Sequence, residues 1–529
     1  MSVHERRDAA PNDFVGMGAA DPQANLNFRI GLTPKDIAGL EKALYDLYGQ
    51  HLSFEEVKVF SAPTPEAVTA VTDWLSENGI SVVKLGGAFD DWLTFTASVG
   101  TANMLFSAGY EDFVHTDTGE HLIRTLTASI PSDLTDFIEV VHPTTSFGRL
   151  TFGSKPMVSI PLTSNLTKQA NPAPASCNTI VTPPCLQALY DIPATRVTQS
   201  TNRLVVSGFF SQFAQMADLR TFLIELRPDI PPTTTFTFQS LDGGLNPQGA
   251  SHAGVEANLD IEYTVGVATG VPTIFISVGD SQPTDSIDSF LALINFLIPE
   301  ASPPQVLTTS YGFDETDIPP SVATRLCNAF MALGARGVSM LFASGDGGVG
   351  GSQQGETCIT FIPTFPAGCP FITSVGATQG VPETAASFSS GGFSGVFARP
   401  SYQAPAVATY LTALGTSTNA GRFNTTSRGF PDVAAQGNDV EIVSGGRTGL
   451  VDTTTCASAI FASVISLIND RLIAAGKPVL GFLNPFLYAN PNTFFDITTG
   501  DNPGCEFPFS RVTGLGTPNF AALLTAAGL

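Results

Sequence analysis

The sequence predicts an α/β fold in which a parallel sheet, covered by helices on both faces, follows a small α+β unit. Two observations support this prediction. The chain has 529 residues, of which 43% are hydrophobic and 13% charged, so it exceeds a typical single domain and can bury a large core. In its second part, apolar runs of strand length alternate with helical stretches; the runs cover residues 204–207, 272–277, 305–310 and 338–344. Such continuous apolar runs, separated by helices, indicate a parallel sheet that is buried on both faces.

Residues 1–150 are predicted to form the small α+β unit. Thr33-Pro34 and Thr64-Pro65 each place a hydroxyl before a proline, which is typical of a helix start, and apolar residues at helical spacing follow both. The predicted order is strand, helix, helix, strand, strand and helix, followed by a hairpin near residues 117–119. This order is typical of a split βαβ, ferredoxin-like sandwich.

Residues 151–186 are predicted to form an exposed linker that is open to cleavage. The composition shifts there to Pro, Ser, Thr and Asn, and residues 170–176 in particular resist regular structure. The α/β unit then covers residues 187–529. Because sites in parallel α/β sheets gather at the carboxyl ends of strands, polar residues that follow the apolar runs are the first candidates for chemistry.

The charge balance is acidic. Asp and Glu outnumber Lys and Arg by 47 to 24, which gives a net charge of −23, so binding to nucleic acid or to anionic lipid is not expected. At about pH 4 many of these carboxylates would be protonated and their mutual repulsion relieved, which suits acidic surroundings. A generic soluble acidic protein would show the same balance.

No membrane span and no signal peptide are predicted. Continuous apolar runs stay below the roughly 18 residues that a span requires; the longest lie at residues 290–298 and 338–343. The first eight residues contain no apolar signal region.

The seven cysteines lie beyond the first third of the chain and lack the spacing of a zinc site, which leaves disulfides or buried thiols. Because their number is odd, at least one is unpaired within the chain.

The first catalytic candidate is the pair Glu256 and Asp260. A helix places these carboxylates on one face, at positions i and i+4. Like charges at this spacing repel each other, so the pair is unfavourable unless it has a use. A shared proton would let one carboxylate act as a base while the other orients it. An acidic pair on a solvated helix is the simpler interpretation.

The second candidate is Asp346, in a glycine-rich turn directly after the apolar run 338–344. If it is protonated, Asp346 could donate a hydrogen bond to a developing oxyanion. An aspartate that caps an ordinary turn is the alternative.

The third candidate is Thr455, which leads into the helical stretch 464–470. A hydroxyl at the N-terminus of a buried helix is well placed for a nucleophile, because the helix dipole supports negative charge. A capping threonine is the alternative.

Taken in this order, the three segments resemble the sedolisin family of serine-carboxyl peptidases, especially its fungal tripeptidyl-peptidase-like members. The motifs are Glu256-x-x-x-Asp260, Ser-Gly-Asp346-Gly-Gly and the segment before Phe-Ala-Ser463. Further matches cover nearly the whole chain and include residues 177–180, 185–190, 310–312, 387–393, 430–435 and 513–520.

The resemblance implies a subtilisin-like peptidase domain at residues 187–529, an activation prodomain at residues 1–150 and a processing region within the linker. It implies a peptide or protein substrate, a monomer, and an extracellular or acidic vacuolar, lysosomal-like location.

The resemblance also implies roles for single residues. Glu256 would be the general base, Asp260 would orient it, Asp346 would serve the oxyanion, and Thr455 would stand at the nucleophile position. Glutamate in place of the histidine of neutral serine peptidases fits activity in acid.

The nucleophile segment departs from the family pattern, which is Gly-Thr-Ser followed a few residues later by a proline. This chain has Thr453, Thr454 and Thr455, with Ala459 at the proline position. The methyl group of Thr455 adds bulk where a carbonyl must approach to about 3 Å. Thr453 would be strained if its position required a positive φ, and Ala459 lacks the fixed φ of proline. Cys456 is a second possible nucleophile, although the family commonly has a structural cysteine there.

The resemblance further implies a structural calcium site with Asp496 and the Ile497 carbonyl as ligands. The second aspartate expected before Val-Thr-Gly514 is Ser510 in this chain. Calcium takes six or more oxygen ligands, so this loss should weaken the site. Glu506 is a possible compensating ligand.

Two functions are therefore expected. The leading one is a secreted, acid-acting serine-type peptidase, tripeptidyl-peptidase-like or endopeptidase, whose acyl-enzyme chemistry is impaired by the threonine at position 455. The alternative is a catalytically inactive homologue, a pseudopeptidase that binds peptides without turnover.

Overall fold

The computed structural model describes residues 1–46, 49–148, 151–152, 157–159, 173–279, 286–353, 358–504 and 513–529. Much of the predicted linker, together with Glu506 and Ser510, lies outside this described part of the chain.

The N-terminal unit combines short strands and helices. Its strands are β1 Ser2–Arg6, β2 Phe14–Ala19, β3 Asn25–Leu32, β4 Lys84–Gly86, β5 Trp92–Ser98, β6 Glu111–His115, β7 His121–Arg124, β8 Thr127–Ile130 and β9 Ile138–His142. Its helices are α1 Ile37–Asp46, α2 Phe54–Ser61, α3 Pro65–Glu77 and α4 Val99–Leu105.

The central sheet of this unit is antiparallel and has the order β9-β3-β5-β4. Helix α3 lies between β3 and β4 in the chain, and α4 lies between β5 and β9. This is the arrangement of a split βαβ, ferredoxin-like fold, as predicted. Apolar side chains of α3 and α4 form the core of the unit with those of the sheet, and β6 pairs with β7 around the predicted hairpin.

The two predicted helix starts have different outcomes. Thr64 caps α3, because its hydroxyl accepts a hydrogen bond from the Ala67 N–H at 3.2 Å. Thr33 does not cap α1, which begins only after Asp36. The Asp36 carboxylate accepts the Gly39 N–H at 2.9 Å. Aspartate is at least as good an N-cap as threonine, so the start predicted at Thr33 is wrong by three positions.

The linker and the α/β unit contain the remaining elements. The strands are β10 Thr151–Phe152, β11 Val158–Ser159, β12 Leu204–Gly208, β13 Thr237–Leu241, β14 Thr273–Val278, β15 Val306–Thr309, β16 Tyr311–Asp314, β17 Ser339–Ala343, β18 Thr364–Phe365, β19 Thr373–Gln379, β20 Thr384–Ala385, β21 Gly392–Ala398, β22 Ser427–Phe430, β23 Val433–Gln436, β24 Val440–Ser444, β25 Arg447–Val451, β26 Phe494–Phe495 and β27 Thr517–Pro518. The helices are α5 Pro183–Tyr190, α6 Met216–Leu226, α7 Val255–Val267, α8 Ser286–Leu297, α9 Pro320–Ala335, α10 Ala404–Leu414, α11 Thr454–Ala474, α12 Asn484–Ala489 and α13 Phe520–Ala526.

The main sheet has parallel strands in the order β13-β14-β12-β15-β17-β19, with β23 parallel to β19 and β20 antiparallel to it. The four apolar runs singled out in the sequence form the neighbouring strands β14, β12, β15 and β17. The carboxyl ends of these strands therefore meet at one edge of the sheet.

Helices bury both faces of this sheet. In β12, Leu204 and Val206 belong to the core under α6, α7 and α11, whereas Val205 belongs to the core under α8 and α9. Successive side chains of a strand point to opposite faces, so a strand buried on both sides is apolar throughout. The predicted fold class is confirmed.

The cysteines form disulfides and also include a buried thiol, which are the two possibilities expected from the sequence. Disulfides join Cys177 to Cys185 and Cys327 to Cys369, and Cys456 is a buried free thiol.

Helix α11 is a longer apolar segment than the sequence indicates. Among the described residues it is the one helix that is long and apolar enough to cross a membrane, and 89% of its apolar window is buried inside the protein. This burial is typical of a core helix. The count of continuous apolar residues misses α11 because serines and an asparagine interrupt it.

The N-terminal unit contacts the α/β unit through a buried arginine on α9. The Arg325 guanidinium donates to the Leu32 carbonyl and to the Glu139 carboxylate, both at 2.8 Å, and it pairs with the Asp91 carboxylate. It also lies 5.0 Å from the centre of the Trp92 ring. Helices α1 and α2 pack against α9 as well.

Candidate active site

Glu256 and Asp260 lie on α7, as predicted, and both are only 1% exposed. The helix packs against α11 on one face of the main sheet, and nearly all of its residues are buried. The simpler interpretation, an acidic pair on a solvated helix, is therefore excluded.

Asp260 is held by Ser310, which directly follows β15. The Ser310 hydroxyl lies 2.8 Å from both carboxylate oxygens of Asp260. Burial raises the pKa of Asp260 well above its ordinary value, and the charge of Glu256 raises it further, whereas the bond from Ser310 lowers it. Two adjacent buried carboxylates resist double ionisation. The pair therefore keeps a proton at pH values at which exposed carboxyl groups have lost theirs.

Asp346 lies just beyond β17 and is 3% exposed. Its Oδ1 accepts hydrogen bonds from the backbone N–H and from the hydroxyl of Thr454, both at 2.8 Å. Its own N–H donates to the Ser352 carbonyl at 3.0 Å. Gly345, before it, has a φ of 107°, a conformation that favours glycine. Asp346 is thus fixed against the N-terminus of α11 and does more than cap its own turn.

Three consecutive, fully buried threonines form the N-terminus of α11. Thr453 is the N-cap, and its hydroxyl accepts the N–H of Thr455 at 3.2 Å. The hydroxyls of Thr453 and Thr455 lie 3.0 Å apart. Thr455 is therefore not the capping residue. It lies in the first turn, where the helix dipole favours negative charge.

Asp346 bonds to this first turn directly, and Glu256 and Asp260 lie on α7, which packs against α11. Cys456 is completely buried. Burial raises the pKa of its thiol well above the ordinary value, and the charges of Glu256, Asp346 and Asp260 raise it further. The charges of all three carboxyl groups thus affect the residue next to Thr455. Because the thiolate is the nucleophilic form of cysteine, the protonated Cys456 thiol does not fit that role.

Known proteins are similar to this chain over nearly its whole length. The sequence family described as the pro-kumamolisin activation domain matches residues 12–147. The chain is 36% identical over 578 residues to tripeptidyl-peptidase SED2 of Arthroderma otae, and the alignment covers 98% of this chain and 95% of the relative. It is 35% identical over 570 residues to tripeptidyl-peptidase SED4 of the same organism, with 99% and 94% covered. The chain belongs to the sedolisin family. A solved Pseudomonas sedolisin, a serine-carboxyl proteinase, superposes with a TM-score of 0.49 at 18% identity and covers 68% of this chain and 98% of its own.

Two of the expected departures from the family pattern in this chain, Thr453 and Ala459, cause no backbone strain. Thr453 has a φ of −170° and a ψ of 153°, which is extended backbone that any residue adopts. The positive φ that would strain a threonine is absent. Ala459 lies inside α11, where alanine has the highest helix propensity and proline would remove a backbone hydrogen bond.

The sequence does not reveal two acidic residues that support the hairpin before α11. This hairpin consists of β24 and β25. Asp218 accepts the N–H groups of Gly445 and Gly446 at 2.8 and 2.9 Å, and Glu262 accepts the N–H of Val443 at 3.0 Å. Burial raises the pKa of Glu262 well above its ordinary value. Because Glu262 lies on α7, that helix links the hairpin to the acidic pair.

Two described pieces of the linker pair with strands beside the site. Phe152 of β10 pairs with Tyr311, which follows Ser310. Val158 of β11 pairs with Leu450 of β25, the strand that leads into α11. The linker therefore pairs with β16, next to Ser310, and with β25, which leads into α11.

The calcium ligands implied by the family are incomplete among the described residues. Asp496 is exposed, and the Ile497 carbonyl accepts a hydrogen bond from the Thr513 hydroxyl at 3.2 Å. The described residues contain no group of three or more His, Cys, Asp or Glu side chains placed to hold a metal. Calcium takes six or more oxygens, so these donors do not fit the ion by themselves. Calcium binding stays a prediction.

Proposed function

We propose that the chain is the precursor of an acid-acting, sedolisin-type peptidase that hydrolyses peptide bonds slowly, with Thr455 as its nucleophile. The observation that carries this proposal is the arrangement of Glu256, Asp260 and Asp346 around the first turn of α11. The names of the relatives favour the release of tripeptides from the N-terminus of a substrate, with endopeptidase cleavage as the other mode.

In the proposed acylation step, the Thr455 hydroxyl attacks the carbonyl carbon of the peptide bond and Glu256 takes its proton. Asp260 keeps the proton of the acidic pair and orients Glu256. The carbonyl oxygen becomes an oxyanion, to which a protonated Asp346 and the Thr455 N–H donate hydrogen bonds. The C–N bond then breaks as Glu256 returns the proton to the leaving amine, and an ester remains on Thr455.

In the proposed deacylation step, Glu256 takes a proton from a water molecule that attacks this ester. The ester C–O bond breaks, Thr455 regains a proton from Glu256, and the product leaves with a new carboxyl group. The same glutamate thus acts as base and acid in both halves of the reaction.

An acidic working pH follows from the proposed roles. Asp346 can donate to the oxyanion only when it is protonated, and the acidic pair must hold one proton. We therefore propose that the protein works as a monomer outside the cell or in an acidic compartment. Its peptide or protein substrate would enter after cleavage in the linker, and the pairing of β10 and β11 beside the site supports that region as the place of processing.

A second candidate function is peptide binding without turnover. The contact between the Thr453 and Thr455 hydroxyls favours it, because a hydroxyl that donates to Thr453 does not donate to Glu256.

Self-processing tests these candidates. The purified full chain is incubated at about pH 4, and cleavage in the linker is followed by gel electrophoresis and mass spectrometry. We expect the unmodified chain to mature slowly and the T453G/T455S variant to mature promptly; an unmodified chain that stays full-length favours the second candidate. E256Q in the T453G/T455S chain is the matched control and should abolish maturation.

Three other outcomes are decisive. A T453G/T455S chain that stays full-length contradicts the proposed function. Prompt maturation of the unmodified chain that T455A abolishes contradicts the pseudopeptidase. Prompt maturation that only C456A abolishes assigns the reaction to the thiol.

A further inference from the structure

We infer that the Thr453 hydroxyl oxygen occupies the oxyanion position of this active site and so excludes the carbonyl oxygen of a substrate. This inference rests on the proposed function. Its basis is the pair of contacts that the hydroxyl makes, one to the Thr455 N–H at 3.2 Å and one to the Thr455 hydroxyl at 3.0 Å.

The position of the Thr453 oxygen meets two requirements of an oxyanion, because it lies beside the Thr455 hydroxyl oxygen and accepts the Thr455 N–H. When a hydroxyl nucleophile attacks a carbonyl carbon, the carbonyl oxygen must lie near the attacking oxygen and accept hydrogen bonds from preorganised donors. The backbone N–H of the nucleophile is such a donor in serine peptidases. An N–H group has one hydrogen, so the Thr455 amide cannot serve Thr453 and a substrate at once.

The same contact also affects the nucleophile. In one of its two possible orientations, the Thr455 hydroxyl donates its hydrogen to Thr453. A nucleophile activated by a general base must donate to that base. In this orientation the proton is directed away from Glu256, so one side chain affects both the oxyanion donor and the nucleophile.

Thr453 has little freedom to move away. It is fully buried, its N–H donates to the Gly437 carbonyl at 2.8 Å, and its own carbonyl lies 2.7 Å from the place of a Cβ on Gly437. A β-branched side chain also has few χ1 rotamers. Thr454, in contrast, turns its hydroxyl to Asp346, so the adjacent threonine does not share the blocking contact.

An ordinary N-cap explains the bond from the Thr455 N–H as well, but it predicts a different response. Removal of a helix cap lowers stability and cannot by itself speed up a reaction. Removal of a blocking oxygen should raise the rate even as the melting temperature falls. A gain in rate therefore separates the two explanations.

The test compares four full-length variants at about pH 4: T455S, T453S/T455S, T453A/T455S and T453G/T455S. The readouts are the first-order rate of linker cleavage and the melting temperature. Loss of one oxyanion donor typically costs about 10²- to 10³-fold in rate. We therefore expect T453A/T455S and T453G/T455S to cleave about 10²-fold faster than T455S. T453S/T455S, which keeps the hydroxyl but loses the β-branch, is the matched control and should cleave more slowly than T453A/T455S.

Two results would overturn the inference and leave the proposed function intact. In the first, all four variants cleave at the same rate. In the second, T453G/T455S is fast but T453A/T455S is slow, which would assign the effect to the Cβ and not to the hydroxyl. If no variant cleaves although all four melt cooperatively, both the inference and the proposed function fail.

Discussion

Glu315 should make the folded protein more stable in acid than at neutral pH. It follows β16 and is 3% exposed. Its Oε1 accepts the N–H groups of Gly395 and Val396 at 2.6 and 3.1 Å, and its Oε2 accepts the Ser394 hydroxyl at 2.6 Å. Burial raises the pKa of Glu315 to about 7, although these three hydrogen bonds lower it.

The sign and size of the effect follow from proton linkage. The ordinary pKa of the side chain is 4.5, so between about pH 4.5 and pH 7 the folded state holds a proton that the unfolded state has released. Stability therefore falls as pH rises through this window. Each pH unit is worth about 1.4 kcal/mol. Glu315 should therefore add about 3 kcal/mol to the free energy of unfolding below pH 4.5, and this contribution is lost by about pH 7.

Urea unfolding of the full chain at several pH values between about 4 and 7.5 measures this contribution. E315Q keeps an acceptor for the two N–H groups and mimics the protonated acid, so the pH dependence of its unfolding free energy should be weaker by about 3 kcal/mol across the window. E77Q, at an exposed position at the end of α3, is the control and should leave the dependence unchanged. Parallel curves for E315Q and the unmodified chain would refute the reasoning.

Three further predictions concern other parts of the chain. R325M should lower the unfolding free energy by about 3–5 kcal/mol, because it leaves the buried Asp91 carboxylate without its cation; R29M, which breaks the partly exposed pair with Asp288, should cost about 1 kcal/mol or less. Urea unfolding compares the two, and equal losses would contradict the role given to Arg325. The Cys456 thiol should resist iodoacetamide in the folded protein and react after unfolding, as measured by mass spectrometry; fast labelling of the folded chain would contradict its burial. Addition of EDTA should leave the melting temperature nearly unchanged if the calcium site is as poor as its donors indicate, and a large decrease would show that residues beyond the described ones complete it.

The sequence predicts the main sheet well because the sheet depends on local signals. A strand buried on both faces is apolar throughout, and the four apolar runs form β12, β14, β15 and β17. One candidate residue, Asp346, follows such a strand, β17. Ser310 could have been found by the same rule, because it follows β15, but a serine at a strand end is too common to be singled out without its contact to Asp260.

The parts that the sequence does not predict depend on contacts between distant segments. Asp218 reaches Gly445 and Glu262 reaches Val443 across roughly 200 positions, and nothing in their local sequence indicates a shared hairpin. The same holds for Arg325, whose partners lie in the N-terminal unit. The start of α1 is mispredicted for a different reason, because Thr33 and Asp36 are both good caps and only the packed structure selects one.

The threonine at position 455 is the most visible departure from the expected family pattern, yet the inferred blocking contact assigns at least as much of the proposed impairment to Thr453. Thr455 keeps a hydroxyl in the first turn of α11, whereas Thr453 adds an oxygen that the glycine of the expected family pattern lacks. If that oxygen fills the oxyanion position, T455S alone improves the nucleophile, but the oxyanion of the transition state still has no free position. The two substitutions should then be strongly non-additive. T453G should raise the cleavage rate by itself, T455S should raise it little, and the double variant should exceed the product of the two single effects.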